Sequence, residues 1–131
     1  AGQVTALDLR PRAGVDAGRA ACAPAGVTRA QARYAGPGGK GGSLPLRALG
    51  KAPIVGGTDG FAKLVADASP GVLLGAHLIG PHAGDLLAEP TLARLLEGTA
   101  AEIAMSVHAH PTLTEVLAEA AMAVDGAAIH V

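Results

Sequence analysis

Aromatic side chains are nearly absent from this chain of 131 residues, which has no tryptophan, one phenylalanine (Phe61) and one tyrosine (Tyr34). A core built without large rings must come from Leu, Val, Ile and Ala, which bury less area per residue. Cysteine is as scarce. Cys22 stands alone, which excludes an internal disulfide and any CxxC redox or zinc pair within this chain. The net charge is −1 with both signs mixed, so there is no basic footprint for nucleic acid. No apolar run reaches the roughly 18 residues of a membrane span. The N-terminus lacks the charged-then-apolar pattern of a secretory signal, so the expectation is a cytoplasmic protein partnered by neither membrane nor nucleic acid. The length suits a single domain with one core.

What is present is ordered by turn residues. Residues 1–26 are rich in Ala, Gly, Arg and Pro and stay unassigned, although Val4, Leu7 and Leu9 are spaced for a strand or a helical turn. Residues 27–33 read as a short helix with Thr28 as N-cap and Gly36-Pro37 as its stop. Gly36 to Gly42 reads as a flexible surface loop outside any packed element. Leu44 to Leu49 is expected to be extended, with Pro45 confining it to a sheet edge or strand start. The turn cluster Gly56–Gly60 precedes a strand, Phe61 to Ala66. A second cluster, Asp67–Gly71, precedes another, Val72 to Ile79, and the pair reads as an antiparallel hairpin.

Helical spacing then takes over. Leu86, Leu87, Ala88, Leu92, Leu95 and Leu96 form an apolar stripe over Ala83–Glu97, with Pro90 inside it to kink or break the helix. Thr99-x-x-Glu102 is a capping box opening a short helix, and the last helix runs from Thr112 to Val124 with Gly126 as its stop. Strands followed by helices predict an α+β fold, an antiparallel β-sheet with helices packed on one face.

Several motifs are weaker than they look. Gly36-x-Gly38-x-x-Gly41 matches a dinucleotide fingerprint in spacing, but it lacks the strand before and the helix after that phosphate binding requires. Gly41 stands where a P-loop needs Ser or Thr after the lysine. His77 lies in an apolar strand and reads as a satisfied sheet histidine, His82 as a cap or solvent residue, and His130 as uninformative. No histidine pair has the helical spacing of a metal site, so no metal is expected.

The densest chemistry is His108-Ala109-His110-Pro111-Thr112-Leu113-Thr114-Glu115. Thr112-x-x-Glu115 has capping-box spacing, in which Glu115 reaches back to the amide that opens the final helix. The same carboxylate can orient one imidazole nitrogen and leave the other free to take a proton. Spacing leaves both readings open.

The wording of that segment, with Glu119-Ala120-Ala121 and Val124-Asp125-Gly126-Ala127-Ala128-Ile129-His130 behind it, resembles the C-terminal dimerisation (interface) domain of the dihydrolipoamide dehydrogenases, a family of flavoprotein disulfide reductases. Gly60–Ala68, Leu74–Gly84 and Leu46–Ala52 are similar to earlier blocks of that domain, so the likeness runs over about four-fifths of the chain. The resemblance implies residues 27–131 as the dimerisation domain of a homodimer that uses FAD and NAD to oxidise dihydrolipoyl groups. It implies His110 as the base, Glu115 as the carboxylate that orients it, and a cis His110–Pro111 peptide beside the flavin of the other subunit. It also implies a 2-oxo acid dehydrogenase complex as partner, through lipoyl and subunit-binding domains. Glutathione and mercuric reductases share His-Pro-Thr-x-x-Glu, and a non-catalytic homodimerisation module is a further alternative. The Asp125-Gly126 to Ile129-His130 ending favours the lipoamide enzymes, and the terminal cysteine pair usual in mercuric reductase is absent. With no flavin fingerprint, nicotinamide domain or redox cysteine pair in these residues, the expectation is a fragment or partial gene product that is inactive alone.

Overall fold

The computed structural model describes residue 14 and residues 21–35, 38–69 and 71–130. The expectations for Val4, Leu7 and Leu9 and for the Gly36-Pro37 helix stop fall outside them. Four strands form one sheet: β1 (Cys22–Gly26), β2 (Lys40–Pro45), β3 (Phe61–Ala66) and β4 (Leu73–Ile79). Their order is β1-β4-β3-β2 and every pairing is antiparallel. The β3–β4 hairpin follows the sequence reading, and its turn is closed by Asp67, whose Oδ1 accepts from the amides of Gly71 and Val72. Strand β1 adds an edge drawn from the segment that the sequence left unassigned.

Alternation along the strands puts Ala23, Ala25, Leu44, Ala62, Leu64, Ala66, Ala76 and Leu78 on one buried face. Helices α3 (Ala83–Leu86), α5 (Ala100–Met105) and α6 (Glu115–Val124) close over it with Ala83, Leu86, Ile103, Val116, Leu117, Ala120 and Ala121. Helix α4 (Ala88–Leu95) leans against β4. The fold is the expected α+β arrangement. Short α1 (Arg29–Ala35) flanks the opposite face, where Ala32 and Val65 both lie beside Gly39. Its start is a true capping box: Gln31 N–H donates to Thr28 Oγ1 (3.2 Å), and Thr28 N–H donates to Gln31 Oε1 (2.8 Å).

Three local expectations change. Gly36–Gly42 is not all loop, because Lys40, Gly41 and Gly42 belong to β2. The physical reason is close approach rather than flexibility. A Cβ on Gly42 would stand 2.2 Å from Ala120 O and 2.3 Å from Val124 N, both backbone atoms of α6. Leu46–Ala48 is a 3₁₀ turn instead of extended chain. Leu46 and Leu49 are both buried, and a three-residue spacing puts two side chains on one side of a 3₁₀ turn but on opposite faces of a strand. Finally, the helix expected over Ala83–Glu97 is interrupted at Leu87, which leaves Pro90 in the first turn of α4, where no amide is needed. Of its stripe, Leu86 and Leu87 are buried but Leu92, Leu95 and Leu96 are exposed. Another, short helix, α2 (Lys51–Ile54), follows the 3₁₀ turn.

Gly42→Ala should therefore destabilise the chain by about 1–3 kcal/mol, the usual cost of overpacking, with α6 pushed off β2. Gly50→Ala, at φ −61° with nothing within 4 Å, should be close to neutral. Denaturant unfolding of the two variants side by side checks this.

Candidate active site

The loop 106–114 joins α5 to α6 and carries both histidines of the motif. They face opposite ways. His108 turns inward, its side chain 9% exposed, and bonds through Nδ1 to Ser106 O (2.9 Å) and through Nε2 to the Glu89 carboxylate (3.0 and 3.1 Å). Both of its ring nitrogens are engaged, so His108 ties the loop to α4 and has no free edge to offer a substrate.

His110 turns outward with its side chain 77% exposed. Its Nδ1 donates to Glu115 Oε1 at 2.8 Å, and the His110–Pro111 peptide bond is cis. A carboxylate oxygen only accepts, so Nδ1 carries the hydrogen and Nε2 of the neutral ring keeps its lone pair. The other oxygen, Glu115 Oε2, accepts from Thr112 N–H at 2.8 Å. Orientation of the imidazole and closure of the backbone are thus performed by one side chain, one oxygen each. The reciprocal half of a capping box is missing: the Thr112 hydroxyl donates to Ala109 O and lies 2.7 Å from Thr114 Oγ1, and it takes no bond from the Glu115 amide. Helix α6 begins at Glu115 and not at the expected Thr112, with Thr114 before it making no side-chain cap bond.

One turn further along α6, Glu119 is buried at 5% exposure. It accepts from Ile129 N–H (2.9 Å), His130 N–H (3.3 Å) and His130 Nδ1 (2.6 Å). Sequence reading passed over this pair. The available signal was the spacing of Glu115 and Glu119, which puts two carboxylates on one helix face. A cavity of about 60 Å³ joins the pairs, lined by His110, Glu115, Glu119 and His130 together with Ala48, Leu49 and Gly50.

The electrostatics favour anions. Burial pushes the Glu115 carboxyl up, but the Thr112 amide, the His110 hydrogen bond and the charges of His110 and His130 together hold it below the ordinary 4.5. Burial likewise raises Glu119, and its bonds to His130 and to the Ile129 and His130 amides outweigh that. The remaining histidines stand elsewhere. His77 is half-buried with Nε2 3.0 Å from Val27 O, and His82 precedes α3 with Nδ1 3.2 Å from Asp85. Among the described residues, no group of three or more His, Cys, Asp or Glu is placed to hold a metal.

Residues 18–121 match the family described as "Pyridine nucleotide-disulphide oxidoreductase, dimerisation domain". The chain belongs to that family. Over 108 residues, 82% of its length, the domain is 45% identical to a dihydrolipoyl dehydrogenase of Bacillus subtilis, of which the match covers 23%. Over 84 residues, 64% of its length, it is 52% identical to the Corynebacterium glutamicum dihydrolipoyl dehydrogenase, of which 18% is covered. The crystal structure of LpdA from Mycobacterium tuberculosis superposes with a TM-score of 0.82 at 27% identity, covering 91% of this chain and 26% of that one. The domain therefore spans about a quarter of the length of the curated relatives it matches.

Both carboxyls have folded-state pKa values depressed below the unfolded one, so the stability they contribute is complete above the ordinary 4.5 and is lost as pH falls through the lower folded values. Acid unfolding of the domain should steepen below about pH 4.5, and Glu119→Gln should flatten that limb. Thermal melts between neutral pH and pH 3 would show it.

Proposed function

We propose that this chain is the dimerisation domain of a dihydrolipoyl dehydrogenase and contributes the acid/base group to FAD- and NAD-dependent oxidation of dihydrolipoyl groups. The observation that carries the reading is the 2.8 Å contact between His110 Nδ1 and Glu115, on a side chain that is largely exposed, which leaves Nε2 as the nitrogen not engaged by the carboxylate. The names and sequence identities of the relatives support the substrate class. A thiolate is the working nucleophile of disulfide exchange, so an imidazole that takes the thiol proton is the chemistry required.

Glu115 keeps His110 in the tautomer whose free nitrogen accepts, and it stabilises the imidazolium once the proton has arrived. The cofactors belong outside these residues. Among the described residues, the glycines of 38–42 run into strand β2 and not into a helix N-terminus, so they make no pyrophosphate cradle. A bound flavin would accept the electrons, with His110 and Pro111 the residues of this chain set against it. On this reading, the isolated chain oxidises no dihydrolipoamide, and the complete protein works in the cytoplasm beside lipoyl-bearing partners.

Dimerisation has its own support. Leu92, Leu95 and Leu96 stand exposed at α4 and its end, with Met105 exposed at the end of α5 and Val107 just after it. Such side chains mark an interaction surface when contiguous. The chain should sediment as a dimer, and Leu92→Glu together with Leu96→Glu should shift it to monomer; a dimer that persists unchanged would relocate the interface.

In the complete flavoprotein, His110→Ala should lower turnover by roughly 10²–10⁴-fold, the usual worth of a general base, with little change in melting temperature. Glu115→Gln should also lower turnover, because an amide has one acceptor oxygen for two donors. If both variants unfold readily while turnover per folded molecule stays level, Glu115 acts as a cap only.

A further inference from the structure

Glu119 does more than a structural carboxylate needs to do. Two backbone amides would suffice to satisfy it and to hold the last residues of the chain against α6. Instead, it also takes His130 Nδ1 at 2.6 Å, repeating the Nδ1-to-carboxylate geometry of His110 and Glu115 one helical turn away. The His130 side chain is 59% exposed, so its Nε2 stays within reach of water while its Nδ1 is fixed. The cavity brings the two pairs together. His110 and Glu115 share its lining with Glu119 and His130, and the remaining lining residues, Ala48, Leu49 and Gly50, carry no charged side chain.

We propose that Glu119 and His130 form a second carboxylate–imidazole pair of the same acid/base site, in which His130 is a positioning residue whose charge Glu115 feels across the shared cavity. This rests on the acid/base reading of His110 and Glu115 and deepens it. Among the described residues, the titratable groups lining the cavity with His130 are Glu119, Glu115 and His110, and no lysine or arginine lines it. When His130 is protonated, it adds a cation beside Glu115, stabilises the Glu115 anion and opposes a second positive charge on His110. When it is neutral, Glu115 is left to His110 and the Thr112 amide. The carboxylate that orients His110 is then tied to the state of a residue twenty positions away, held in place by Glu119.

The test follows the Glu115 side-chain carboxyl carbon by NMR as a function of pH in the labelled 131-residue chain, compared with His130→Gln, His130→Ala and His130→Lys. Loss of the imidazole in the Gln and Ala variants should raise the Glu115 midpoint by a few tenths of a pH unit. The Lys variant, which keeps a cation, should stay close to the parent. An unmoved midpoint in both His130→Gln and His130→Ala, with amide spectra otherwise like the parent, overturns the proposal and leaves Glu119 as a latch for the chain end. The measurement needs neither flavin nor substrate. A moved midpoint, combined with an unchanged pH profile of turnover in the complete flavoprotein carrying His130→Gln, would uphold the coupling and remove the acid/base reading instead.

Discussion

Helix α6 lies directly on strand β2, backbone against backbone, and this contact is possible because position 42 has no side chain. The atoms that crowd the missing Cβ are Ala120 O, Val124 N and Ala123 C. Nothing of the kind yields cheaply, since a carbonyl and an amide cannot rotate aside as a side-chain tip can. The depth of α6 then decides much else. It sets how Val116, Leu117, Ala120 and Ala121 meet Leu44 and Leu64, and a core with so few aromatics depends on such close fits. It also sets the height at which Glu115 and Glu119 stand above the sheet. A glycine in an edge strand thus positions carboxylates more than seventy residues downstream.

On that helix, the capping and the catalytic readings of Glu115 turn out to be compatible. A carboxylate has two oxygens and about four lone-pair sites, and here one oxygen serves the backbone while the other serves His110. The backbone bond fixes the rotamer, so the bond to the imidazole costs little further side-chain entropy. His108 provides the complementary restraint. Its engagement with Glu89 and Ser106 fixes the loop two residues before His110, which lets an exposed ring keep a defined direction.

Much of this was legible in the residues, and the failures share a cause. The hairpin could be read because Asp67 to Gly71 and Gly80-Pro81 punctuate strongly apolar strands, and Thr99 with Glu102 announced α5 at the right residue. The interruption near Pro90 was also foreseeable. Gly42 reads as loop because composition reports freedom of the backbone, whereas its use here is proximity to an element far away in sequence. Pro45 makes Leu46 to Leu49 read as extended, whereas the spacing of three between two buried leucines fits a 3₁₀ turn. His130 is uninformative in the sequence because its partner lies eleven positions back, on a helix whose burial no local pattern reveals. Short-range chemistry was readable, and tertiary pairing was not.

On the proposed reading, the exposure of His110 bears on what a second subunit would add to the site. An imidazole 77% open to water exchanges protons with solvent as readily as with a thiol, and water screens the carboxylate that directs it. The same groups act more strongly once a protein surface excludes that water, because each charge interaction grows as the local dielectric falls. Exposed leucines at α4, with Met105 and Val107 also exposed, offer apolar area through which a second subunit would approach. On the proposed reading, association and proton transfer are then not separate duties of the domain. The surface that dimerises supplies the dry wall that the base lacks, and a dimer whose interface is loosened should lose acid/base efficiency before it loses its fold.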